Sequence, residues 1–170
     1  MSSIVLKRCS IEIMVTVALF LFCLIIVSGC KDMDSNGTDQ TTTLQFQEID
    51  SRELNPENIP AQKVIFRDQE SWKAFWEKYG KEAAPEIDFT MYIVIGVFSG
   101  PKPNPGHGVE ITQIQKSGSE ILVHVTEYTP NPEQDYPSVI VYPYYIVSFE
   151  KTAGEIVFIL EQKVDDRLNH

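Results

Sequence analysis

The sequence predicts an α+β fold, a predominantly antiparallel β-sheet, curved or sandwich-like, with one main amphipathic helix. Three observations predict it. A single stretch, 68–80, sets large aromatic residues at helical spacing. Almost everything after it reads as short runs rich in Val, Ile and Tyr. The connections between those runs are short and contain glycine, which implies antiparallel neighbours, because parallel ones need long crossovers.

The chain opens on a segment that lies outside this fold. MSSIVLKRCSIEIMVTVALFLFCLIIVSGC carries a basic patch (Lys7, Arg8), a stretch free of charge from Ile13 to Gly29, and small residues before Cys30. These are the parts of a secretory signal. Val27-Ser28-Gly29-Cys30 resembles a bacterial lipobox, which implies cleavage after Gly29, a diacylglycerol on Cys30 and an acyl group such as palmitate on the new N-terminus. An uncleaved membrane-spanning helix is the competing reading, since the apolar stretch approaches the roughly 18 residues that could span a bilayer. Cysteine usage favours lipidation. Cys9 and Cys23 fall inside the signal, so the mature chain keeps only Cys30, its first residue. That excludes a disulfide framework and a Cys-ligated zinc site. Two or more acyl chains give a stable anchor where one is marginal.

Residues 31–43, KDMDSNGTDQTTT, are polar and turn-prone and read as a tether of about 20 Å. Asp32-Met-Asp34-Ser-Asn36-Gly37 matches the first half of an EF-hand loop, but Thr43 stands where a bidentate Glu belongs. A solvated linker is the better reading. The expected organisation is therefore a signal over 1–29, a lipidated Cys30 with its tether to 43, one domain over 44–164, and a tail over 165–170.

Within the domain, Leu44–Ile49 and Lys63–Phe66 are the weaker strand candidates. The helix follows. Trp72, Phe75, Trp76 and Tyr79 fall at i, i+3, i+4 and i+7, with Asp68 as N-cap, Glu70 in the first turn, Lys78 in the last and Gly80 at C′. Four large rings on one face need burial, so the stripe reads as a core face rather than a ligand platform. Tyr92–Phe98 is apolar on both faces, as an interior strand would be. Gly108–Gln115 alternates at its start, Ser117-Gly118-Ser119 is a hairpin-sized turn, and Glu120–Tyr128 has Ile121, Val123 and Val125 in register. Val139–Glu150 reads as a strand that is an edge or bulged at Pro143, because proline cannot donate to a ladder. Thr152-Ala-Gly154 turns into Glu155–Leu160.

Composition narrows the function. The whole chain has a formal net charge of −10, and loss of residues 1–29 leaves 12 basic and 23 acidic side chains, a net of −11. That field repels nucleic acid and anionic head groups. GPKPNPGHGVEI at 100–111 is the conspicuous loop. It is no phosphate cradle, since three of its residues lack an N–H and a strand follows. His107 has no companion at ligand spacing in His124 or His170, so no metal is expected. His124, between Val123 and Val125, is expected on the solvent face. No spacing nominates a nucleophile, and Glu127, Glu133 and Asp135 read as surface acids. Prolines that fix φ lower the entropy lost on binding, so the loop suits a pre-stiffened recognition element. Thr129–Pro137 (TPNPEQDYP) has the same character.

An apolar strand ending in Gly-x-Lys-Pro, a glycine-containing loop, Gly108-Val-Glu-Ile111, a hairpin into Glu127-x-x-Pro130, and Tyr142-Pro143-Tyr144-Tyr145-Ile-Val together resemble the PrcB C-terminal domain family, named for a protease-complex subunit. The resemblance covers roughly residues 90–160. In that family the loop commonly reads Thr-Gly-Gly-Tyr after Lys-Pro, whereas here Asn104-Pro105-Gly106-His107 follows Lys102-Pro103. The resemblance implies an envelope or secreted protein that associates with a protease without being one.

The sequence reading is thus a membrane-anchored envelope lipoprotein, not an enzyme, that binds or stabilises a partner protein, with a surface or periplasmic protease as the candidate. Cys30 is the expected anchor. The expected partner contacts are Lys102, Pro103, Asn104, His107, Pro130 and Tyr136. No cofactor, metal or nucleic acid is expected. A protease inhibitor with a proline-stiffened loop is the first alternative, and a ligand- or glycan-binding module using Trp72 and Trp76 the second.

Overall fold

The structure, a computed structural model, describes residues 41–49 and 54–166. All of them fall in the second of the chain's two units, Asp39–His170. Cys30, the apolar N-terminal stretch and the EF-hand-like run at 32–39 lie outside the described residues.

The elements in chain order are β1 (Thr42–Leu44), β2 (Phe46–Glu48), a single 3₁₀ turn (Pro56–Asn58), β3 (Gln62–Phe66), α1 (Gln69–Tyr79), β4 (Tyr92–Phe98), β5 (Gly108–Ser117), β6 (Glu120–Thr129), β7 (Tyr144–Glu150) and β8 (Glu155–Val164). They form the expected α+β architecture as two four-stranded sheets, one ordered β1-β5-β6-β8 and the other β2-β7-β4-β3. The predicted strand Leu44–Ile49 is split at Gln45. Its first part, beginning at Thr42, pairs with β5 in one sheet, and its second pairs with β7 in the other.

The core has two parts, one on each face of the β2-β7-β4-β3 sheet. Ile93, Ile95 and Val97 of β4, with Val147 and Phe149 of β7, meet Val109, Ile111, Ile114, Ile121, Val123 and Val125 of the opposing sheet. Val94 and Phe98 of β4 face the other way, against Trp72, Phe75 and Trp76 of α1. Layers on both sides explain why Ile93–Phe98 is buried at every position, and why the sequence shows an unbroken apolar run there.

The helix is built as its sequence predicts. The Asp68 carboxylate accepts from the Ser71 N–H at 2.7 Å, and that bond holds its pKa below the usual carboxylate value. Trp72 is wholly buried, its ring 5.0 Å from Phe66 and 5.6 Å from Trp76, and its Nε1 donates to the Pro85 carbonyl at 2.9 Å. The aromatic stripe is core. Gly80 differs from expectation: its φ is −83°, so it is not a left-handed cap. It is glycine for lack of room, since a Cβ there would lie 2.6 Å from Cε3 of Trp76.

β5 alternates at its start as expected, and two other strand expectations are corrected. The alternation of β5 breaks between Ile111 and Gln113, where a bulge inserts Thr112 and hands the inward position to Ile114. The strand predicted from Val139 begins only at Tyr144. Pro143 sits outside the ladder, its carbonyl accepting from the Ser99 N–H, and β7 is an interior strand flanked by β2 and β4. The turn before β8 does not make an antiparallel neighbour. β8 crosses to the other sheet and runs parallel to β6 from Glu155 to Val164. The edges of β7 are already occupied, whereas that of β6 is free and lets Ile156 and Phe158 join the inter-sheet core.

Candidate functional site

The registers place the two proline-bearing loops at one end of the sandwich. Phe98, where β4 ends, pairs with Tyr144, where β7 begins. Gly108, where β5 begins, pairs with Tyr128 beside the end of β6. The 99–107 and 130–143 connections therefore both cross between sheets at the same end, and Val164 of β8 arrives there beside Thr129.

Two contacts join them, and the Tyr136 hydroxyl braces the second loop from within. A Cβ on Gly106 would lie 2.7 Å from Cζ of Tyr136 and 3.0 Å from the Pro130 Cα, so one loop's backbone rests on the other's ring. The Tyr136 hydroxyl accepts from the Asn131 N–H at 3.2 Å and lies 2.9 Å from Gln134 Oε1 and 3.3 Å from Oδ2 of the buried Asp165. Lys102 and Val141 exchange both backbone hydrogen bonds, at 2.8 and 2.9 Å. Within the first loop, Asn104 Oδ1 accepts from the Gly106 N–H at 3.0 Å, an Asx turn. Gly100 takes φ 66°, a conformation that favours glycine, and packs on Ala61.

The predicted contact residues divide accordingly. Pro103 is exposed, as are Pro101 and Pro105, while the intervening Lys102 and Asn104 are half-buried. His107, Pro130 and Tyr136 are also half-buried. Asn104 and Tyr136 hold the loops in shape. Sequence reasoning missed Val139 and Ile140, which are 51% and 62% exposed beside the Lys102–Val141 bridge. The sequence reading places both in the strand Val139–Glu150. Pro143 was the signal that could have found them, because a ladder cannot run through it.

His124 lies on the outer side of its sheet, its Nε2 3.1 Å from Gln115 Oε1. Elsewhere, an open groove of about 920 Å³ runs beside α1, with Trp76 in its wall and Glu77, Glu82, Glu86 and Asp88 around it. Its aromatic component, Trp76, is a core residue only 3% exposed. Between the sheets, burial and the neighbouring Glu48 carboxylate, which also accepts its hydrogen bond, push the Tyr145 hydroxyl up to about 12.

A layered α+β sandwich with a cross-braced loop end is a scaffold for presenting a surface. Residues 93–150 match the model of the family described as PrcB C-terminal. The match runs from β4 to β7 and contains both loops, so the resemblance drawn from the sequence holds over this stretch. No curated protein and no solved structure matches the chain.

Proposed function

We propose that this chain is an envelope lipoprotein, anchored through Cys30, whose sandwich binds and stabilises a partner protein, a surface or periplasmic protease, through the joined loop end. The role is binding rather than catalysis. The observation that carries it is exposed apolar surface on both loops, Pro101, Pro103 and Pro105 on one and Val139 and Ile140 on the other, with the loops pinned together at Lys102–Val141. Rigid apolar surface loses little entropy on docking and gains from leaving water. The signal-like N-terminus and the family match support the setting.

Capture from detergent-solubilised membranes tests the reading, comparing the parent chain with Val139→Asp/Ile140→Asp and with Pro103→Ala/His107→Ala. The first variant is expected to lose the partner while retaining its tryptophan fluorescence. Full partner occupancy in both would overturn the loop assignment. Cys30→Ser is expected to block acylation and the cleavage after Gly29, so mass spectrometry should read a chain that still carries residues 1–29. Inhibition of a protease is a second reading, favoured by a proline-rich loop pinned at Lys102–Val141. Stoichiometric loss of activity in a panel of serine proteases would select it.

A further inference from the structure

The ten-residue strand β8 forms one end of its sheet, and among the described residues nothing pairs with its outer side. Exposed edges are usually blunted by proline, a bulge or lysines. Here the β6–β8 register has no shift, the strand EIVFILEQKV has no proline, and Lys163 is its only cation. Ile159, Leu160 and Val164 are 40%, 50% and 53% exposed. Lys63, on the adjoining edge of the other sheet, stands 5.6 Å over the Phe158 ring and covers the interior side of this edge.

The direction of the backbone groups follows from three hydrogen bonds. The Glu155 N–H donates to the Ser119 carbonyl, the Asp165 N–H donates to the Thr129 carbonyl, and the Lys163 carbonyl accepts from Thr129 Oγ1. Odd-numbered residues of β8 therefore turn their backbone groups toward β6. The N–H and C=O groups of Ile156, Phe158, Leu160, Gln162 and Val164 point to the open side, because a residue's two groups share one direction in a strand.

We propose that this edge pairs with itself: a second copy of the chain adds its β8 antiparallel to the first, about a two-fold axis at Ile159. Charge selects the register. Centring on Ile159 sets Glu155 opposite the partner's Lys163, twice by symmetry, with Phe158 opposite the partner's Leu160 and Ile159 opposite its own copy. Sliding the axis to Phe158 would oppose Glu155 to the partner's Glu161, and sliding it to Glu161 would oppose that residue to itself. Sliding it to Leu160 would lose the opposite-charge pairs and set Ile159 against the partner's Glu161. In the chosen register the even-numbered residues form the hydrogen-bonded pairs, about eight bonds in all, which matches the side on which their backbone groups are free. The two four-stranded sheets become one continuous sheet with outward faces kept outward.

Cysteine pairing in the full chain, oxidised in its membranes, tests both the contact and the register. Ile159 of each copy would form a non-hydrogen-bonded antiparallel pair with Cα atoms about 4.5 Å apart, within disulfide reach. Ile159→Cys is expected to give a covalent dimer well above the background of the parent chain. Val157→Cys and Glu161→Cys, each offset from its own copy by about 13 Å, are expected to stay monomeric alone and to cross-link when co-expressed. In the Ile159→Cys background, Lys163→Glu is expected to lower the yield about tenfold, and adding Glu155→Lys to restore it. Equal cross-linking at all three positions, or a monomeric mass by light scattering of the detergent-solubilised full chain, would overturn the proposal.

Discussion

Replacing Tyr136 by phenylalanine removes one oxygen and keeps the ring that Gly106 rests on. The oxygen accepts from the Asn131 N–H and, having one proton, donates to one partner at a time, Gln134 Oε1 at 2.9 Å or Asp165 Oδ2 at 3.3 Å. One acceptance and one donation at a half-buried site contribute about 1 kcal/mol each, so Tyr136→Phe should cost about 2 kcal/mol. For a domain of roughly 120 residues that lowers Tm by about 6–12 °C. Urea unfolding followed by the fluorescence of Trp72 and Trp76, both in the core beneath α1, measures the loss. A second perturbation attacks the same clasp sterically. Gly106→Ala places a methyl 2.7 Å from the Tyr136 ring and should cost about 1–3 kcal/mol. In a Tyr136→Ala background the ring is gone and only the Pro130 Cα, 3.0 Å away, still crowds the methyl, so the two losses should fall short of additive by about 1 kcal/mol or more. A Tyr136→Phe loss under about 0.5 kcal/mol would refute the bracing of the 130–143 loop by this hydroxyl, and strict additivity in the cycle would refute the claim that the Gly106–Tyr136 ring contact joins the loops.

Two further outcomes follow from the core and the inter-sheet space. Trp72→Phe loses the bond to the Pro85 carbonyl and part of a wholly buried ring, so it should cost about 2–3 kcal/mol by urea midpoint; a loss below about 1 kcal/mol would contradict the packing at α1. Tyr145 titrates at about 12 when folded against an ordinary value of 10.0, so the folded state holds its proton more tightly. Its contribution to stability is complete below pH 10 and is lost as pH rises toward 12. Tyr145→Phe should remove that part of the alkaline slope, and an unchanged slope above pH 10 would contradict the assignment.

Elements whose information is local can be read from the chain alone. The helix from Gln69 to Tyr79 follows from its aromatic spacing and the Asp68 cap, and the two-residue turn before Glu120 from Gly118, whose φ is 53°. The position of β4 in the middle of three layers was also legible, because a strand covered on both faces has no reason to alternate. What the tertiary structure decided is non-local. No feature of Glu155–Val164 says that it must pair parallel with β6, since that choice depends on which edges other strands leave free. The meeting of Gly106 with Tyr136 and the exposure of Val139 and Ile140 have the same origin. Each loop's composition announces stiffness, but only the order and direction of the strands that the loops connect brings them to one end. Pairing energy is shared between segments far apart in the chain, so neither segment carries it alone.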